Sequence, residues 1–125
     1  MSKIDDVIKI LEDLEERNKD IIGSAVIRTN GLIVASALPK EANERMIAAM
    51  SAALLGTSKR AAEALFKGGD FKALHLEIDK GHMFLMKAGR VILVAISEKE
   101  PNIGLITLEM ENTSKKISQI FKIED

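Results

Sequence analysis

The sequence predicts a single α/β domain with the element order αββαβββα, and three observations carry that reading. Apolar residues at steps of three and four mark three helices. Short β-branched runs bounded by Gly, Pro or Asn mark five strands, several of them paired as hairpins. A length of 125 residues is one domain's worth, so residues 1–125 are read as one unit with one core.

Ile4, Val7, Ile8, Leu11 and Leu14 share one face of the first helix, and Ser2 followed by Asp5 has the spacing of a capping box. The opposite face carries Asp6, Glu12, Asp13, Glu16 and Arg17, read as a solvated face. Strands at about 23–29 and 32–37 flank Asn30-Gly31. Asn-Gly between β-branched runs predicts a tight hairpin in which both turn residues take positive φ. Pro39 ends the second strand because it cannot donate to a ladder. Residues 43–66 are Ala-rich and free of Pro, a helix about 35 Å long. Gly68-Gly69 stops it.

Two further strands, 71–78 and 82–88, are joined by Asp79-Lys80-Gly81, a three-residue loop that wants Gly81 in the left-handed region. Gly89-Arg90 turns the chain into 91–96, an uninterrupted apolar run. Such a strand is buried on both faces and belongs in mid-sheet. Asn102 is placed to cap the last helix, whose inner face is Ile103, Ile106, Met110, Thr113, Ile117 and Ile120.

Composition narrows the function. Charged residues make up 30% of the chain, yet the formal net charge is -1, so the basic excess that neutralises phosphates is missing. Aromatics are 3%, with no Trp and no Tyr, which removes the stacking platforms for single-stranded bases. Nucleic acid is not an expected partner. With no Cys there are no disulfides, thiolate metal sites or cysteine nucleophiles. The N-terminus lacks the basic start and apolar block of a signal peptide. No apolar run approaches the ~20 residues needed for a membrane span. The expected location is the cytoplasm.

The middle helix is apolar on more than one side. Met46, Ile47, Met50, Leu54, Ala61 and Leu65 form one arc, read as the core face. Ala48, Ala52, Leu55, Ala62 and Phe66 form a second, with Ala49 and Gly56 beside it. A helix apolar on two sides is covered on two sides. The small residues Ala49, Ala52 and Gly56 would let another backbone approach closely, so the second cover is read as a second copy of the chain. The plainer alternative is a helix sandwiched within its own domain.

These features together resemble the roadblock family, named for a dynein light chain and found in bacterial and archaeal regulators of Ras-like GTPases. The hairpin Val26-Ile27-Arg28-Thr29-Asn30-Gly31-Leu32-Ile33-Val34-Ala35-Ser36 carries the resemblance. So do the helix segment Ala48-Ala49-Met50-Ser51-Ala52-Ala53-Leu54-Leu55-Gly56 and the series Asp79-Lys80-Gly81, Gly89, apolar strand, Asn102-Ile103-Gly104-Leu105. The resemblance implies a profilin-like α+β fold: a five-stranded antiparallel sheet in order 2-1-5-4-3 with helices on both faces. It further implies a homodimer joined through the middle helix and the strand after it, adding Phe71, Leu74 and His75 to a seam of Ala48, Ala49, Ala52, Leu55 and Gly56. The implied partner is a small Ras-like GTPase, with Lys59, Arg60 and Glu63 as candidate contacts. The implied role is a non-enzymatic regulator or scaffold, with a GTPase-activating component as one form of it; a purely structural dimerisation module is the alternative.

No catalytic constellation stands beside this. There is no Gly-x-Ser-x-Gly elbow, and no Gly-Lys-Ser/Thr ending to any Gly-rich stretch that would cradle a nucleotide. His75 and His82 fall on neighbouring strands outside any ligand motif and are read as a sheet-surface pair. No metal and no cofactor are expected. An arginine lent to a GTPase could be Arg17, Arg28, Arg45, Arg60 or Arg90, and each is read first as a surface charge.

Overall fold

In a computed structural model that describes residues 2–121, the elements are α1 (Lys3–Arg17), β1 (Ile21–Ile27), β2 (Ile33–Ala37), α2 (Glu44–Phe66), β3 (Ala73–Ile78), β4 (Gly81–Ala88), β5 (Val91–Glu98) and α3 (Ile103–Phe121). The ends of the domain expected over 1–125, residues 1 and 122–125, lie outside the described residues. Each helix starts on a polar cap. Ser2 Oγ accepts from the Asp5 amide at 3.1 Å, Asn43 Oδ1 from Met46 at 3.0 Å, and Asn102 Oδ1 from Leu105 at 3.0 Å. Each cap satisfies an amide that the first turn leaves without an intrahelical partner. At the end of α2, Lys67 itself takes the left-handed conformation (φ 62°), and the amides of Lys67 and Gly68 bond back to Glu63 and Ala62. Gly68 and Gly69 follow at φ 122° and 121°.

All sheet neighbours are antiparallel, in the order β2-β1-β5-β4-β3, as the resemblance implies. The apolar strand β5 is the central one. Val91, Leu93 and Ala95 join one core cluster while Ile92 and Val94 join the other, the period-2 alternation of a strand covered on both faces. Val7, Leu11 and Leu14 of α1 and Ile106, Met110, Ile117 and Phe121 of α3 cover the first face. α2 lies alone on the second, through Ala48 and Leu55. Arg17 does more than decorate a solvated face, because its guanidinium bridges Asp13 at 3.1 Å and Glu109 of α3 at 3.3 Å.

The faces of α2 depart in part from the sequence reading: Ile47 and Leu54 of the arc read as core do pack against the core cluster, but Met46, Met50 and Leu65 of that arc change places with Ala48 and Leu55. Ala48, Ser51 and Leu55 are buried against the sheet, whereas Met46, Met50, Leu65 and Phe66 are exposed. Side-chain size explains the exchange. α2 must pass the β1–β2 hairpin, where a Cβ at Gly31 would stand 3.3 Å from Ala52 Cβ, 3.6 Å from the Ala48 carbonyl and 4.0 Å from Ala49 Cα. The small residues make room for the chain's own hairpin. Ala52→Leu is therefore expected to destabilise the fold by about 1–3 kcal/mol through overpacking, measured as a lower midpoint in urea.

The hairpins also exchange the expected turn types. Gly31 alone is left-handed (φ 90°), the Gly31 amide bonds to the Arg28 carbonyl, and the Arg28 amide bonds to the Leu32 carbonyl. That is a three-residue loop with glycine last; further along, a separate register shift at Val26/Ile27 leaves Val34 as the extra residue of β2. Between β3 and β4 the loop is only Asp79-Lys80, because Ile78 pairs directly with Gly81. Gly81 is not left-handed. It is small because a Cβ there would lie 2.6 Å from the Ser97 carbonyl oxygen of β5.

One carboxylate sits uneasily in the core margin. Glu15 accepts a hydrogen bond from Ser24 Oγ at 2.5 Å. Burial raises its pKa above the ordinary value, the Ser24 bond opposes that shift, and neighbouring Glu12 adds to it. The folded value exceeding the unfolded one means the native state binds more protons between the two. The contribution is therefore present below the unfolded pKa and is lost as pH rises through the folded one. Glu15→Gln, which can still accept from Ser24, should raise the melting temperature at pH 7. The gain should vanish below about pH 4 in melts run across the pH range.

Candidate interaction surface

β3 pairs with β4 on one side and, among the described residues, with no strand on the other. A strand edge of this kind presents a row of free amides and carbonyls, which natural proteins blunt or cover. Here the adjoining surface is apolar. The alternation of β3 turns Leu74, Leu76 and Ile78 toward the α2 side of the sheet, where Leu74 packs against the core cluster. Leu76 and Ile78 remain 41% and 56% exposed, next to a stripe in which Met46 is 54%, Met50 53% and Leu65 72% exposed. Between them runs a groove of about 530 Å³ lined by Met46, Met50, Leu76, Ile78, Met83 and Ile96. Scattered apolar residues on a surface need no explanation, but a contiguous patch marks a contact site. Methionines suit such a surface, since their flexible thioethers adapt to what they meet.

The seam expected from sequence is only partly on this surface. Ala48 and Leu55 are 1% and 2% exposed and belong to the chain's own core, so they offer nothing to a second copy. Ala49 and Ala52 flank the hairpin, and the nearest atom to a Cβ at Gly56 is the Arg60 guanidinium at 3.8 Å. Phe71 and Leu74 are half-buried beneath α2, while His75 is exposed on the β3 edge strand. The surface instead exposes Met46, Met50, Leu65, Leu76 and Ile78. The sequence signal for Met46, Met50 and Leu65 is the arc read as the core face, and hydrophobicity alone does not say which of two apolar faces is inside.

Lys59, Arg60 and Glu63 are all exposed on the C-terminal half of α2. Lys59 and Glu63 border a cleft of about 280 Å³ floored by Leu55 and Ile92, with Asp70, Phe71 and Arg90 on its rim. Arg60 turns away from that cleft and donates to Thr57 Oγ1 at 3.2 Å.

On the other face of the sheet, His75, Glu77 and His82 come together with one potential ligand atom from each inside a span of 4.8 Å. His75 Nε2 and His82 Nδ1 are 2.7 Å apart. The sequence already sets His75 and His82 on neighbouring strands; the β3–β4 register adds Glu77 to them by placing it opposite His82, while His75 stands opposite Phe84. Among the described residues, no helix is long and apolar enough to cross a membrane.

Known proteins share this fold. The Roadblock/LC7 domain model matches residues 8–97. The Methanocaldococcus jannaschii protein MJ1340 is 30% identical over 105 residues, covering 84% of this chain and 91% of its own. MglB of Myxococcus xanthus has the same fold at a TM-score of 0.87, with 19% identity over 98% of this chain and 92% of that one. A Roadblock/LC7 domain from Streptomyces avermitilis superposes at 0.86 with 18% identity, over 92% of this chain and 97% of its own. The antiparallel sheet in order 2-1-5-4-3, the helix layers and the match over most of its length make this chain a member of the Roadblock/LC7 family.

Proposed function

We propose that the chain works as a homodimer that regulates or scaffolds a small Ras-like GTPase and has no enzymatic activity of its own. The observation that carries the dimer is the open edge of β3 lying beside an exposed apolar stripe on α2. A second copy related by two-fold symmetry would cover the same patch on both chains, continuing the sheet through β3 and seating α2 against its mate. Family membership supports the GTPase as partner class. The pair of α2 helices would present Lys59, Arg60 and Glu63 to it from both copies.

A regulator must distinguish the partner's two states, since equal affinity for both shifts nothing. The test is titration of a Ras-like GTPase from the native source, loaded with a GTP analogue or with GDP, against wild type and Arg60→Ala. A regulator binds the two loaded forms with different affinity. Equal affinity leaves a constitutive scaffold, and no binding leaves only a structural dimerisation module. Unchanged binding with slower turnover for Arg60→Ala would assign that guanidinium to charge stabilisation in phosphoryl transfer. Without that result, holding the GTPase's own groups in place is the simpler route to faster hydrolysis.

A further inference from the structure

The β3–β4 hairpin carries a three-ligand constellation on the sheet face opposite α2, away from the apolar stripe of Met46, Met50 and Leu65. The His-x-Glu spacing places His75 and Glu77 on one face of β3, and His82 projects from β4 directly opposite Glu77. His82 is buried, 6% exposed, whereas His75 and Glu77 are exposed. The His75 ring stacks on Phe84 with centroids 4.5 Å apart and planes 12° from parallel. That contact holds the ring so that Nε2 faces His82 Nδ1 at 2.7 Å. Two neutral imidazoles can share one N–H at that distance, leaving a lone pair on one nitrogen facing the proton of the other. An ion between them would use both lone pairs.

We propose that His75 Nε2, His82 Nδ1 and the Glu77 carboxylate form a binding site for a divalent first-row transition metal ion such as Zn²⁺. Two imidazoles and one carboxylate suit Zn²⁺, Co²⁺, Ni²⁺ or Fe²⁺. They do not suit Mg²⁺ or Ca²⁺, which take oxygen ligands. With bonds of about 2.0–2.1 Å, a tetrahedral ion sets its two nitrogen ligands about 3.3 Å apart. The imidazoles must therefore part by about 0.6 Å, a movement open to the exposed His75. Three protein ligands leave the fourth position to water or to another donor at the β3 edge. The ion would clamp the edge strand to β4.

The experiment is calorimetric titration of the full chain with Zn²⁺, with Mg²⁺ as control, on wild type, His75→Ala and Glu77→Gln. Co²⁺ absorption would report the coordination. One Zn²⁺ per chain is expected, with a rise in melting temperature and no response to Mg²⁺. Both variants should weaken binding by at least about tenfold, and His75→Ala should lose the intense visible bands of four-coordinate Co²⁺. The absence of saturable Zn²⁺ binding by wild type would overturn the proposal. So would binding that both variants leave unchanged, since it would place the ion elsewhere. Neither result depends on whether a GTPase is the partner.

Discussion

Charging the exposed stripe of α2 by Met50→Lys together with Leu65→Lys is expected to raise the dimer dissociation constant by at least about 100-fold while leaving the monomer folded. Both positions are more than half exposed in the isolated chain, so neither substitution opens a cavity or buries a charge within one copy. In the proposed dimer each would be desolvated against its mate. A lysine ammonium cannot be buried without a partner except at a cost of several kcal/mol, and two-fold symmetry makes each substitution count twice. Light scattering over a dilution series reads the shift directly. A dissociation constant unmoved by both lysines would remove this stripe from the seam. The Lys59–Glu63 side of α2 would then be the better candidate.

Leu55→Ala should behave in the opposite manner, lowering the unfolding free energy by about 2–5 kcal/mol. Leu55 is 2% exposed and packs within the cluster of Ala25, Ile27, Leu85, Ile92 and Val94. Removing three carbons there loses their transfer free energy and leaves a cavity that a long helix lying flat on a sheet closes poorly. Met50→Ala, five residues away on the same helix, should cost far less in the isolated chain, because Met50 is more than half exposed there. Chemical denaturation of both variants should be done at several protein concentrations, since association adds to apparent stability by mass action. Equal losses for the two at the lowest concentration would contradict the inside-out assignment of α2.

Most of the fold was legible because its signals are local. The capping residues Ser2, Asn43 and Asn102 and the apolar run of β5 each act through neighbours within a turn or a strand. The relative placement of elements was not local. Whether Ala48 or Met46 faces the sheet depends on how closely α2 must pass Gly31, a residue in another element. Its neighbours in sequence make Gly81 look like a turn glycine, but the constraint on it is the Ser97 carbonyl across the sheet. His75 and His82 were legible as a pair on neighbouring strands, but the approach of Glu77 to both depends on strand register. Spacing along the chain records the ladder but not what the ladder brings together.

The central claim is that a second copy of the chain covers β3, and amide hydrogen exchange along Ala73–Ile78 tests it most directly. In an antiparallel edge strand, alternate amides bond to the neighbour inside the sheet and the others point outward. The outward-pointing amides of β3 should therefore exchange slowly when the protein is concentrated and faster on dilution, while those of β5 stay protected throughout. Outward amides of β3 that exchange freely at every concentration, with β4 and β5 fully protected, would contradict the account.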